Sequence, residues 1–272
     1  MRNEDIAEVF NTSGAKYEAS ATELINLAAS ELVQRLNLSE RDDFVDLGCG
    51  SGAVAAHAEP LLPNGSLVGV DLSRVQLQLA RERFRRSPIQ PRFVQEDAVA
   101  TSLRDRSASA VGLGLVLPYS ERPQQILKEA TRLTRLGGRV AATIIGNPFF
   151  GSPGMRLLGL LERRGVAWPE VELQFDPRHA VQLALLCEVD GRRLDDVTIE
   201  EIERELWWDS FDAWWQMLSA FGFLPSGRER MMEHVIRDLQ NDDRVVDPDG
   251  KVRCTVKIWL LSATVSEGDP WL

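Results

Sequence analysis

Between Phe44 and Ile145, short apolar runs alternate with stretches whose apolar residues recur at helical spacing. The runs at residues 44–47, 67–70, 92–95, 108–115 and 139–145 have the length and character of strands. Helices are predicted over 53–59, 73–85 and 123–136, and in the last of these Ile126, Ala130 and Leu133 share one face. Pro60, the turn Pro63-Asn64-Gly65, Pro88 and Pro91 separate the elements, and Ser73 with Gln76 forms a capping box. Gly137-Gly138 suits the left-handed position that ends a helix. Strand and helix alternate with connections too long for hairpins, which predicts a parallel sheet covered on both faces. Ligands of such sheets bind outside the carboxyl ends of the strands, where Asp46, Asp71 and Asp97 fall.

The flanks are less regular. Residues 3–16 are polar with scattered apolar positions and a turn at Ser13-Gly14, after which Ser20 and Glu23 form a capping box. Leu24, Leu27, Ala28, Leu32, Val33 and Leu36 then predict a helix over 21–36. Beyond Asn147 the periodicity weakens: Pro148, Gly151, Pro153 and Gly154 read as a flexible exit, followed by helices over 155–164, 177–187, 211–221 and 228–239. A turn is expected at Asp190-Gly191, and strands over 197–207 and 252–265.

Composition narrows the classes. Of 272 residues 44% are hydrophobic and 26% charged, which suits a soluble globular chain with a sizeable core. A net charge of −10 disfavours binding that depends on neutralising many phosphates, and the basic cluster at 81–86 fits a helix C-terminus. Cys49, Cys187 and Cys254 lie far apart without metal-ligand spacing, so neither structural disulfides nor a metal site is expected. The acidic N-terminal decapeptide and the lack of a long apolar run predict a cytoplasmic protein with no membrane partner.

Three features carry the candidate chemistry. Gly48, Gly50 and Gly52 remove side chains where backbone approaches a ligand. Asp71, at the end of the second strand, can accept from ribose hydroxyls, and Asp97, at the end of the third, from an adenine amine. The third glycine stands one position earlier than a dinucleotide loop requires. Asp46 would repel a pyrophosphate but attract an amine, and an amine with a carboxylate on a nucleoside tail describes S-adenosylmethionine.

VDLGCGSG, from Val45 to Gly52, resembles the first motif of class I S-adenosylmethionine-dependent methyltransferases, and Gly69-Val70-Asp71-Leu72-Ser73 and Glu96-Asp97-Ala98 resemble the second and third. Residues 109–140, ending LKEATRLTRLGGRV, align without a gap on the family's fourth strand, next helix and fifth strand. Tyr17 is shared with many small-molecule members, and the late helices resemble the lid of ubiquinone and menaquinone biosynthesis methyltransferases. The likeness covers nearly the whole chain.

It implies an α/β, Rossmann-like class I methyltransferase sheet, mostly parallel with an antiparallel final strand, helices on both faces and a helical lid insertion. The implied division is an N-terminal helical cap (1–40), a cofactor core (41–147), a lid and substrate region with one core strand near 197–207 (148–240), and a final core strand with tail (241–272). Asp46, Gly48 and Gly50 would hold the methionine end, with Tyr17, Cys49 and Gln76 nearby. Asp71 would bind the ribose, Leu72 the adenine face, Asp97 and Ala98 the adenine edge, and backbone near Leu113 would face the amino group. Ser109 stands where relatives often carry Asp, and Pro118-Tyr119 where they often carry a His pair.

Methyl transfer needs a base only if the acceptor must lose a proton. Candidates are Tyr17, Tyr119, His179 and His234; His57 reads as a surface residue and Cys49 as a packed one. Trp207, Trp208, Trp214 and Trp215 could wall a hydrophobic acceptor pocket, or serve core or homodimer packing. The implied activity is methylation of a hydrophobic or aromatic small molecule, with no nucleic-acid partner. A cofactor-binding cyclase on the same fold is the alternative. A nucleic-acid methyltransferase is disfavoured by charge and by Leu117-Pro118-Tyr119 after the fourth strand, and a dinucleotide oxidoreductase by the glycine spacing.

Overall fold

The computed structural model describes residues 3–146, 151–166, 177–220 and 229–268. Their strands are β1 (Asp43–Leu47), β2 (Ser66–Asp71), β3 (Arg92–Gln95), β4 (Ala108–Gly114), β5 (Thr134–Ile145), β6 (Glu188–Val189), β7 (Arg192–Trp208) and β8 (Val252–Glu267). They form one sheet in the order 3-2-1-4-5-8-7-6. The first five run parallel, and β8, β7 and β6 add to the β5 side antiparallel. β1 is buried from Phe44 to Leu47, and β4 is apolar along almost its whole length, because both of their faces are covered.

The helices are α1 (Asn3–Leu36), α2 (Ala53–Ala58), α3 (Arg74–Arg83), α4 (Pro123–Leu133), α5 (Gly151–Glu162), α6 (Pro177–Leu185), α7 (Phe211–Ala220) and α8 (Glu229–Gln240). Because side chains alternate along a strand, β1 divides its residues between two clusters. Phe44 joins Leu32 and Leu36 of α1, Ala55 of α2 and Leu77 of α3, while Val45 and Leu47 join Leu127 of α4 and Ala180 of α6. A third cluster gathers α5, α7 and α8 around Val252, Cys254, Val256 and Ile258 of β8, with Leu24 and Ala28 of α1.

Several element boundaries differ from the sequence reading. α1 runs unbroken through Ser13-Gly14 and Ser20, so neither the turn nor the capping box there forms an end. Contacts made by its first turns outweigh those local signals: Phe10 packs edge-on to Tyr119, and the Asn11 amide oxygen accepts from the Ser73 hydroxyl. α4 stops at Leu133 rather than 136, where Thr134 turns extended while its hydroxyl donates to Ala130 O at 2.7 Å. Gly137, with φ +74°, therefore lies within β5 and not at a helix end. Gly151, Pro153 and Gly154 open α5 and do not form a loop. Asp190 and Gly191 both take positive φ, the geometry of a tight hairpin turn, which extends β7 back to Arg192.

Candidate functional site

The chain leaves β1 through three glycines in the left-handed region, Gly48, Gly50 and Gly52, at φ +75°, +51° and +85°. Space as well as conformation requires two of them: a Cβ on Gly48 would stand 2.4 Å from a Val116 methyl, and one on Gly52 2.9 Å from the Phe84 ring. The amides of Gly48 and Cys49 both donate to Val70 O, which binds the loop to the end of β2. There Asp71 closes the turn. One of its carboxylate oxygens accepts from Gly50 N and the other from Ser73 N, each at 2.8 Å. Burial pushes its proton affinity up, and those amides partly offset the rise. Ser73 caps α3 by accepting from Gln76 N, the first half of the predicted capping box; Asp71 takes the Ser73 amide that the second half would have used.

These residues line an open cavity of about 1070 Å³, counting its mouth. Gly48, Cys49 and Gly50 form one wall, and Asp71, Leu72 and Gln76 another. Asp97 and Ala98, which follow β3, line it too. The Asp97 carboxylate accepts from Val99 N at 3.0 Å and from the Arg122 guanidinium at 3.3 Å. Gly114, Leu115, Val116 and Tyr119 line it after β4, and Phe10, Ile25, Ala28 and Ala29 line it from α1. Leu115 sits at φ +57°, an uncommon conformation for a branched residue, and its amide donates a hydrogen bond to Thr143 O.

Asp46 behaves differently from the other acids. It is fully buried, and neither carboxylate oxygen has a hydrogen-bond partner of normal geometry. Burial and then the nearby Asp71 raise its pKa to about 8, with the Ala55 amide pulling weakly the other way. Burial, Asp46 and Asp71 likewise push the Cys49 thiol well above its ordinary value, so it is a packed neutral group and not a nucleophile.

Residues 45–142 match the methyltransferase domain family. The chain is 31% identical over 136 residues to a malonyl-acyl-carrier-protein O-methyltransferase of Marinomonas sp., covering 50% of this chain and 49% of that one. It is 26% identical over 152 residues to a demethylmenaquinone methyltransferase of Lactobacillus johnsonii, covering 53% and 62%. The chain spans between 38% and 62% of the length of the first curated relatives that it matches. The solved 4+2 cyclase SpnF superposes with a TM-score of 0.59 at 16% identity, covering 99% of this chain and 98% of that one. The matched segment runs from β1 into β5, the parallel half of the sheet that carries the glycine loop.

Within that segment the structure gathers Gly48, Cys49, Gly50, Asp71, Leu72, Gln76, Asp97, Ala98 and Tyr119 around one cavity. Other candidates stand elsewhere. Leu113 is itself buried in the cluster on the α4 side of the sheet, and the chain beside it, from Gly114 to Val116, lines the cavity. Asp46, in β1 just before the loop, is not among the residues that line the cavity. None of the four tryptophans lines it: Trp214 is completely buried in the third cluster, Trp208 and Trp215 pack there too, and Trp207 is exposed beneath the Arg253 guanidinium. Their indoles follow the projecting end of β7 and α7, which pack on α1 and β8 and not over the loop. His234 is exposed on α8, its ring nitrogen 2.6 Å from Arg230 O. The side chains of Tyr17 and His179 lie outside the described residues.

Phe10, Asn11 and Leu115 were missed. The first two stand in a polar stretch that reads as loop, although an isolated Phe there was a signal. Nothing in the sequence marks Leu115 as left-handed.

Proposed function

We propose that the protein is an S-adenosylmethionine-dependent methyltransferase acting on a hydrophobic or aromatic small molecule of the quinone or secondary-metabolite type. The supporting observation is the convergence of the glycine loop, Asp71 and Asp97 on one cavity, with the unpartnered Asp46 carboxylate just before the loop. The residues fit this cofactor. Gly48 and Gly50 let its methionine end approach the backbone, and Asp71 keeps lone pairs for ribose hydroxyls beyond those used by two amides. Leu72 and Ala98 bracket an adenine whose amine Asp97 accepts, and a buried carboxylate favours an ammonium nearby.

When bound, S-adenosylmethionine supplies an electrophilic methyl group on its sulfonium. The chain contributes positioning and exclusion of water. Ile25, Ala28, Ala29 and Leu115 give the rest of the cavity an apolar wall suited to an uncharged acceptor. Tyr119, braced by Phe10 with ring centroids 5.5 Å apart, orients that acceptor. The net charge of −10 supports a small molecule over a nucleic acid. The name of the menaquinone-type relative supports the acceptor class.

Calorimetric titration with S-adenosylmethionine tests the cofactor, and absence of binding would sink the proposal. Incubation with pooled quinones, phenols and polyketides, read by mass spectrometry, tests the reaction. A product heavier by one methylene unit is expected; an isomerised product of unchanged mass would favour the cyclase reading.

A further inference from the structure

Asp46 stands in β1 opposite Gly69 of β2 and Gly112 of β4. Residues paired in parallel strands share a face, and a Cβ on Gly69 would meet Cys49 and Phe93, while one on Gly112 would meet Phe44 and Leu32. The carboxyl therefore projects into the apolar cluster formed with α1, α2 and α3. Both of its oxygens lack partners, which burial tolerates in a neutral carboxyl far better than in a carboxylate. The groups acting on it are Asp71 at the end of β2 and the Ala55 amide of α2, with the neutral Cys49 thiol beside it; Arg81 of α3 acts on that thiol. α1 and β4 bring apolar side chains such as Ala29, Leu32 and Ala110 to the cluster.

The two acids are thus unequal. Asp71 accepts two amide hydrogen bonds that support its charge, and Asp46 accepts none of normal geometry. One negative charge is supported at this corner and a second is not, unless a cation enters the cavity beside the loop that follows Asp46.

We infer that Asp46 holds a proton in the free protein, and that an ammonium bound at the glycine loop ionises it and sends that proton to solvent. Ligand uptake and loss of one proton are then one linked event, and Asp46 carries its charge only in the complex. This rests on the proposed cofactor site. Below the free-state pKa of Asp46 the affinity rises with pH, approaching tenfold per unit, because each binding event must expel a proton.

The probe is S-adenosylhomocysteine, which carries the ammonium but no sulfonium and does not turn over. Calorimetry at about pH 6.5 in two buffers of different ionisation enthalpy counts the protons exchanged. Release approaching one proton per ligand is expected for the full chain, and none for Asp46→Asn. Infrared difference spectra supply a readout that needs no variant: a protonated-carboxyl C=O band in the free protein should vanish on binding. Binding with no proton release and no band change would overturn the inference and leave the cofactor site standing. Binding of neither S-adenosylhomocysteine nor S-adenosylmethionine would remove the proposed function, and the inference with it.

Discussion

At the residue scale, the site depends on atoms that are missing. Gly48→Ala would put a methyl 2.4 Å from Val116 at a φ that L residues avoid, so either the loop or β4's exit must move. Left-handed strain alone costs about 1–2 kcal/mol, and a shifted wall costs ligand contacts as well. Loss of S-adenosylmethionine binding by at least about tenfold is expected in calorimetry, with circular dichroism unchanged. Asp46 makes a second prediction, on stability. Its folded pKa, about 8, lies above the unfolded value near 3.9, so between those limits the folded state binds more protons and stability falls as pH rises. Asp46→Asn removes that slope. Urea midpoints of the free protein should show the variant more stable than wild type at about pH 7.5, by at least about 1 kcal/mol, with the gap closing toward about pH 4. A gap that instead widens on acidification would mean that Asp46 is ionised and stabilising. Glycines and strand-end acids were legible in the sequence because each is required by local geometry. Asp46's lack of partners was not, since it depends on Gly69 and Gly112 standing beside it in the folded sheet.

At the scale of elements, α1 joins regions that the sequence keeps apart. Its C-terminal half packs under β1 and β4, and its early turns reach Ser73 and Tyr119, both of which line the cavity. Asn11 is the polar half of that reach: its amide oxygen accepts from the Ser73 hydroxyl at 2.8 Å and from Val75 N at 3.4 Å, adding a second cap to α3. Asn11→Ala should cost about 1 kcal/mol, the usual worth of a cap. Because Gln76 of α3 lines the cavity proposed for the cofactor, the variant should also speed release of S-adenosylhomocysteine several-fold in stopped-flow displacement. An unchanged off-rate would confine Asn11 to a structural role. The strands of the parallel half could be read from their apolar runs, because covered strands leave a continuous signature. The unbroken α1 could not. Ser13-Gly14 is a sound local turn signal, and what overrides it is contact with residues more than sixty positions away.

At the scale of the molecule, the third cluster is a second core beside the parallel sheet. β8 pairs with β5 only from Ile258 onward, so Val252, Cys254 and Val256 project past β5 with β7 alongside. α5, α7 and α8 cover that projection, and Leu24 and Ala28 connect it to α1, which also serves the cluster beneath the cofactor loop. Trp214 is the largest fully buried side chain there, with Phe211 at 5.6 Å and Trp215 at 6.4 Å between ring centroids. The sequence showed the crowd of aromatics but not its purpose, because apolar residues on a helix serve a core and a ligand wall with the same pattern. Trp214→Ala distinguishes the two. As a core residue it should destabilise by about 3–5 kcal/mol, lowering the melting temperature by roughly 10 °C. Because α1 spans both clusters, unfolding should remain a single transition, and S-adenosylmethionine should still raise the midpoint by mass action. Two separated transitions, with only the upper one shifted by ligand, would show that the second core melts independently and that α1 does not couple it to the site. A normal melting temperature with weakened acceptor binding would instead return Trp214 to the acceptor pocket.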